Sequence, residues 1–335
     1  MRAAVNTRYG PPSVVAVEEV ATPSPGPRDV LVEVRCGTVN RTDCGIRGAH
    51  PWFARAITGL TRPRLTINGG EFAGVVAAVG TEVTTLGAGD RVFGYSERTL
   101  GAHAEFLTIP ADGPIATIPH GVTDEAAAAS TEASQYALAN LRAGALNRDS
   151  DVVVFGATGG IGSAAVQLLA SRGVAVTAVC PQAHAGTVAE LGAARVIGLE
   201  DFPEPDRRYD AVFDAVGKSS FTACRPSLGP RGRYLTTDFG PKSQNAAAAV
   251  LTAASPGRRA IIGLPRPWDQ RFVGFIRSEL ASGRFRPLLD QEFPLADIVD
   301  AYEYVETGQK IGNVIVRVSA ADPRDSHAPA PGQTP

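Results

Sequence analysis

The stretch Asp151–Cys180, DVVVFGATGGIGSAAVQLLASRGVAVTAVC, constrains the fold more than any other part of the chain. It opens on a β-branched apolar run ending at Phe155, the pattern of a strand buried on both faces of a parallel sheet. A glycine turn follows, Gly156-Ala157-Thr158-Gly159-Gly160-Ile161-Gly162. The next segment has helical spacing, with Ile161, Ala165, Leu168 and Leu169 near one face, and Gly173 ends it. A second apolar strand, Val174–Cys180, completes a strand–turn–helix–strand unit. Residues without a Cβ let the chain double back so tightly. Gly159 leaves room for a pyrophosphate to approach the backbone, and Gly162 lets the helix pack close on the strand. The helix N-terminus adds free N–H donors and the positive end of its dipole. The first glycine of the usual pattern is replaced by Ala157, which Gly156 precedes. In this frame the turn predicts dinucleotide binding by Ala157, Thr158, Gly159, Gly160, Ile161 and Gly162.

At 335 residues the chain can build two domains with cores of their own. A net charge of −2 gives no basic surplus, so no nucleic-acid partner is expected. The N-terminus lacks an apolar core of signal-peptide length, and no apolar run is long enough for a bilayer. The four cysteines, Cys36, Cys44, Cys180 and Cys224, form no CxxC pair. A reduced cytoplasmic protein without membrane association is the expectation.

Along the chain, residues 1–21 read as two strands about a turn, and Val30–Arg35 as a half-exposed strand. Cys36–Gly48, CGTVNRTDCGIRG, reads as a polar site loop, and residues 54–66 as a mobile surface segment. Gly69–Gly80, Gly87–Gly94 and Gly101–Ile109 continue the β pattern. From Thr123 the chain turns Ala-rich and helical, with Asp124 and Glu125 suited to a helix start. Between Asp151 and Leu264 six candidate strands, at 151–156, 174–180, 195–199, 210–216, 233–237 and 260–264, alternate with helical spans. This is the pattern of a doubly wound parallel sheet. Helices at Asp269–Ser282 and Ala296–Thr307 and a strand at Asn313–Val318 follow. The expected domains are 1–123, a β-rich catalytic part; 124–264, the nucleotide-binding part; 265–318, a return to the first; and 319–335, a Pro- and Ala-rich disordered tail.

Taken together, VNRTD (39–43), GGEFAGVVAAVG (69–80), GDRVFGY (89–95), the glycine turn, FDAVG (213–217) and YEYVETGQKIGNVIV (302–316) resemble the medium-chain dehydrogenase/reductase family. The resemblance extends to Val318 and is strongest to the zinc-independent quinone oxidoreductase and enoyl reductase branch. It implies an α/β fold: a GroES-like β-rich domain interrupted by a Rossmann domain, with the substrate cleft between them. Zinc-dependent members carry Cys where this chain has Asn40 and His where it has Gly70. Asp43, Cys44 and Glu71 do not replace those soft ligands, so no metal is expected. Without a Lewis acid, hydride transfer favours an acceptor that spreads the developing charge, such as a quinone or a carbonyl-conjugated C=C bond. The implied activity is NADPH-dependent reduction of such an acceptor, with a possible setting in secondary metabolism. The alternatives are a zinc-free carbonyl reductase or alcohol dehydrogenase, and a non-catalytic NADPH-binding protein.

The resemblance also assigns residues. Asn40 orients the substrate carbonyl or the nicotinamide, or else makes a structural turn hydrogen bond. Thr42 aligns with a proton-relaying hydroxyl of zinc enzymes, or serves as a local cap. Asp43 orients the loop, with an ion pair to Arg47 as the stronger reading. Arg41 matches a pyrophosphate contact of some relatives. Tyr136 is the best candidate for a proton-donating hydroxyl, against the reading of a core tyrosine. Trp52 and Phe53 flank an aromatic substrate or simply pack, Cys44 is a small buried residue, and His103 is a strand residue.

Cofactor preference turns on the end of the second strand, Cys180-Pro181-Gln182-Ala183-His184, which carries no acid before Glu190. The absence of repulsion favours NADPH over NADH, with Cys180, Gln182 and His184 beside the ribose and Val216 and Gly217 completing the cofactor set. The resemblance implies a homodimer, because the family pairs its last sheet strand, here Ala260–Leu264, across a two-fold axis and so covers an apolar edge.

Overall fold

The computed structural model describes residues 1–52, 55–240 and 243–319, with the side chain of Ile57 excepted. The N-terminal part is β-rich. It contains β1 (Arg2–Val5), β2 (Ala16–Glu19), β3 (Asp29–Val39), helix α1 (Arg41–Gly48) and the short α2 (Arg55–Thr58). Strands β4 (Glu71–Val79), β5 (Arg91–Tyr95), β6 (Phe106–Pro110) and β7 (Ile115–Thr117) and helix α3 (Asp124–Ala128) follow. The middle alternates α4 (Glu132–Gly144), β8 (Asp151–Phe155), α5 (Gly160–Ala170), β9 (Ala175–Val179), α6 (Ala185–Glu190), β10 (Arg195–Ile197) and β11 (Tyr209–Asp214). It goes on through α7 (Phe221–Cys224), β12 (Leu228–Thr236), α8 (Gln244–Thr252), β13 (Arg259–Ile262) and α9 (Gln270–Ala281). Then come β14 (Leu289–Pro294), α10 (Ile298–Glu306) and β15 (Asn313–Arg317).

The chain divides into two compact units. The first comprises Met1–Ala128, Gln291–Gly308 and the chain from Val314, and is built on a seven-stranded antiparallel sheet. Its backbone is β3, whose first half pairs with β6 and whose end pairs with β15, while β4 runs along its other edge. Val30, Val32 and Val34 of β3, Phe72 and Val76 of β4, and Ile298 and Val305 of α10 form the core. The second unit, Ala129–Asp290 with Gln309–Asn313, holds a six-stranded parallel sheet in the order β10-β9-β8-β11-β12-β13. This is the doubly wound order, with its reversal between β8 and β11. Val152, Val153 and Val154 are fully buried in the central strand, as their β-branched run predicts. The expected fold class and all six candidate strands are present.

Several expectations need correcting. Cys36–Gly48 is not a loop: Cys36–Val39 is the end of β3, held by β15 and β4, and Arg41–Gly48 is helix α1, opened by Asn40 and Asp43. His103 lies in a turn before β6, fully buried, rather than in a strand. The helical stretch after Thr123 is two helices, with the Ser134 hydroxyl donating back to the Ser130 carbonyl at the break. The domain borders at 123/124 and 264/265 also differ from the observed units. Helix α9 belongs to the second unit because Gln167 of α5 both donates to and accepts from the backbone of Arg286, just beyond α9, at 3.0 and 2.8 Å. The expected tail from residue 320 onward and Phe53 lie outside the described residues.

Candidate functional site

Two sets of side chains carry the chemistry, one in each unit. In the second unit, the turn after β8 closes by hydrogen bonds from Gly156 and Ala157 N–H to the Val179 carbonyl and from Gly159 N–H to the Gly156 carbonyl. Gly156 has a φ of +80°, a region that only glycine enters without strain. A Cβ on Gly162 would stand 2.2 Å from the Gly156 carbonyl oxygen, so the approach of α5 to the strand depends on this glycine. Gly159 differs. A Cβ there meets nothing closer than 3.5 Å, so the folded chain does not itself require glycine at this position. No side chain caps α5 at Gly159, and a helix start leaves its first N–H groups without intrahelical partners. The turn therefore fits a pyrophosphate: open space over Gly159 beside unused helix donors.

The rest of the nucleotide set falls around this turn, with differences from expectation. Asp214 is fully buried and accepts from Val216, Gly217 and Ser219 N–H at 3.1, 2.9 and 2.8 Å and from the Tyr234 hydroxyl at 2.9 Å. The N–H groups of Val216 and Gly217 are thus committed to Asp214, and a ligand meets their other atoms. Val216 packs its methyls against Gly156. Cys180 is buried, its thiol pushed up by burial, and its N–H donates to the Ile197 carbonyl. Gln182 is exposed and His184 half-buried, both in a single 3₁₀ turn after β9. Sequence reading missed the segment Lys310–Asn313, which covers the turn from the far end of the chain. Gly312 N–H donates to the Thr158 carbonyl, and the Asn313 amide oxygen lies 2.8 Å from where a Gly160 Cβ would be. Tyr136 is half-buried on α4, its ring edge-on to Trp268, another residue that no sequence signal pointed to.

In the first unit Asn40 opens α1. Its N–H donates to the Asp43 carboxylate at 2.8 Å, completing a reciprocal capping box. Its amide Nδ2 donates inward, to Thr38 Oγ1 at 3.2 Å and to Glu71 Oε2 at 3.0 Å, and Thr38 Oγ1 donates to the same carboxylate at 2.7 Å. Asp43 is held by backbone N–H groups and does not pair with Arg47. Arg47 is buried and bridges instead to Glu306 and the Gly10 carbonyl, with its guanidinium 5.0 Å from the Tyr302 ring centre. Burial raises the Asp43 carboxyl to about 7 against the N–H donors that lower it, and the Glu71 charge adds to the rise. Burial, reinforced by Asp43, pushes the Cys44 thiol up to about 12, which suits a small core residue and not a nucleophile.

Beneath Asn40 the polar core continues. His103 Nε2 lies 2.8 Å from the Thr38 carbonyl and Nδ1 3.4 Å from the Tyr302 hydroxyl, and burial lowers its pKa to about 4. Gly70 faces Tyr95: a Cβ at 70 would stand 2.6 Å from the ring and 2.9 Å from its hydroxyl. A histidine there would have to displace a ring that is 5% exposed, so the residues present do not fit the zinc set of metal-dependent relatives. Arg41 is exposed, Thr42 half-buried and Trp52 largely exposed at 78%.

Two family descriptions match the chain. Residues 26–120 match an alcohol dehydrogenase GroES-like domain, and residues 191–316 match a zinc-binding dehydrogenase domain. The 2-methylene-furan-3-one reductase of Solanum lycopersicum is 27% identical, over 94% of this chain and 79% of its own length. The quinone oxidoreductase of Mus musculus is 25% identical, over 94% of this chain and 97% of its own. A mycobacterial protein, Rv1454c, solved in complex with NADPH, superposes with a TM-score of 0.74 at 26% identity, covering 95% of this chain and all of that one. Among the described residues no helix is long and apolar enough to cross a membrane. With the antiparallel and the doubly wound sheet, the glycine turn and these relatives in agreement, the chain belongs to the medium-chain dehydrogenase/reductase family, of quinone oxidoreductase type, and is an NAD(P)H-dependent oxidoreductase.

Proposed function

We propose that this oxidoreductase uses NADPH to reduce a quinone or a carbonyl-conjugated C=C bond, without zinc, in the cytoplasm and in a secondary-metabolic setting. The observation that carries the reading is the pairing of Gly70 with Tyr95. The ring occupies the space of a metal-ligating side chain, and the Asn40 amide is turned to Thr38 and Glu71. A bound nicotinamide would supply the hydride. The protein's own part is to hold the dinucleotide at the uncapped start of α5 and to keep the α1 turn rigid through the Asn40–Asp43 box. Tyr136 is the side-chain hydroxyl assigned to the proton that follows, and water is the alternative donor. An acceptor with its own charge sink needs no Lewis acid from the protein.

NADPH preference rests on the end of β9, where no acid precedes Glu190 to repel a 2′-phosphate and His184 stands in the following turn. The relative solved with NADPH supports the same choice. A homodimer is supported by the free edge of the parallel sheet. There β13 leaves Ile261 and Ile262 half-buried and is followed by Leu264, 76% exposed.

NADPH oxidation measured against quinones, enones and simple ketones is expected to proceed with the first two, in enzyme dialysed against chelator. Turnover of ketones alone, or activity lost with a stoichiometric metal, overturns the reading. Gly159→Ala is expected to fold normally yet weaken NADPH binding at least tenfold in a fluorescence titration, because the new methyl projects into the open space over the turn. Gly162→Ala is expected to lower stability itself, through the clash with Gly156. Equal cofactor affinity in Gly159→Ala would place the pyrophosphate elsewhere. Analytical ultracentrifugation is expected to give twice the chain mass, and a monomer at micromolar concentration contradicts the paired edge.

Asp43 generates a pH prediction. Its carboxyl titrates at about 7 in the folded chain, against 3.8 as its ordinary value, so folding favours the protonated form. The stability this contributes is complete below 3.8 and is lost as pH rises through about 7. The urea midpoint of the wild type is therefore expected to fall across that window relative to Asp43→Asn, whose amide does not ionise. Parallel curves for the two proteins would show that Asp43 is ionised throughout.

A further inference from the structure

A cleft of about 350 Å³ opens in the second unit between α4, α5 and α9, lined by no residue of the glycine turn. Its walls are apolar, formed by Leu138 and Leu141 of α4, Leu169 of α5 and Phe275 of α9. The volume lies at the lower end of the roughly 300–1,000 Å³ typical of small-molecule sites, enough for one small ligand. The polar members of the lining are two exposed arginines, Arg142 and Arg172, and Asn147.

These two guanidinium groups are not arranged as surface ion pairs. Arg172 donates to the Leu168 carbonyl and lies 5.8 Å from the Phe275 ring centre, and among the described residues it has no carboxylate partner. Among the described residues the Arg142 side chain has no hydrogen-bond or ion-pair partner. Burial, then the nearby charges of Arg266 and Arg172, hold the Arg142 guanidinium below the usual arginine range, with the Asp269 charge opposing them. Asp269 is already engaged, its carboxylate accepting the Phe272 N–H at 2.8 Å as the cap of α9. Like charges thus gather beside an apolar wall with no paired carboxylate among the described residues. An anion with an apolar body satisfies both features at once, because a carboxylate matches the planar donor fork of arginine.

We propose that this cleft is a binding site for a small amphipathic monoanion, an alkyl or aryl carboxylate. Its head group pairs with Arg142 and Arg172, and its body lies along Leu138, Leu141 and Phe275. A polyphosphate would leave the apolar wall unused, and a peptide strand would exceed the volume. The site is separate from the glycine turn and does not depend on the identity of the reduced acceptor.

The test is calorimetric titration of the full chain at low salt with octanoate, using octan-1-ol and octylamine as neutral and cationic controls. Octanoate is expected to bind saturably and in preference to both. Arg142→Gln is expected to weaken octanoate at least tenfold, the effect of losing one charge-assisted contact, and Arg142→Glu to reverse the preference toward octylamine. NADPH affinity is expected to stay unchanged in both variants, which keeps a failure here distinct from a failure of the cofactor assignment. Absence of saturable octanoate binding, equal affinity in Arg142→Gln, or equal binding of octan-1-ol overturns the proposal. Displacement of octanoate by NADPH would place the anion on the glycine turn and overturn it as well. So would binding that appears only after an oligomer is diluted apart, since a second copy would then fill the cleft.

Discussion

A single carbon atom decides how close α5 comes to the strand before it. With glycine at 162 the helix start lies against the Gly156 carbonyl, and any Cβ would stand 2.2 Å from that oxygen. This contact sets the angle at which α5 leaves the sheet, and so where its unused N–H groups point. The surroundings are built to keep the turn in place. Val216 packs on Gly156, Asp214 ties down the loop carrying Val216, and Gly312 bonds to Thr158 from the other end of the chain. The open, uncapped helix start therefore comes from backbone geometry, and the side chains around the turn serve to hold it.

The first unit solves a different problem, that of burying ionisable groups in an apolar core. Glu71 and Asp43 are both buried and of like charge, yet each has donors: Thr38 and Asn40 side chains for one, backbone N–H groups for the other. Asp43 bears the cost as a raised pKa, since burial outweighs its hydrogen bonds. His103 is kept neutral in the same core by the same desolvation. Hydrogen bonds satisfy the cluster, and the Tyr95 ring stands against the place a Cβ at 70 would take. The structure thus accounts for Asn40 as a member of the polar core, its donors facing Thr38 and Glu71.

Much of this was readable in advance where the determinants are local. The glycine turn was recognisable because strand, turn and helix follow one another directly, and their residues meet whatever the rest of the chain does. The same holds for the strands β8–β13 and for Asp269, which caps α9 as its position before an amphipathic run suggests. Sequence says least where a partner lies far off. Arg47 stands four residues from Asp43, but its carboxylate partner is Glu306, 259 residues on. The chain just after α9 is tied at Arg286 to Gln167, 119 residues earlier. Trp268 beside Tyr136 left no periodic or motif signal, and the motif at 302–316 that contains Asn313 does not point to Gly160.

By itself the sequence determined the class of the fold, the glycine turn between β8 and α5, and the absence of Cys at 40 and His at 70. Each of these depends on residue identity within one short segment: β-branching, a missing Cβ, a missing thiolate or imidazole. Tertiary structure alone decided that Asn40 turns its amide inward, that Tyr95 occupies the place left by Gly70, and that Arg142 and Arg172 share an apolar cleft with no paired carboxylate among the described residues. Those outcomes depend on which surfaces distant strands and helices bring together. Burial and charge neighbourhood act through space, and only the folded chain defines them.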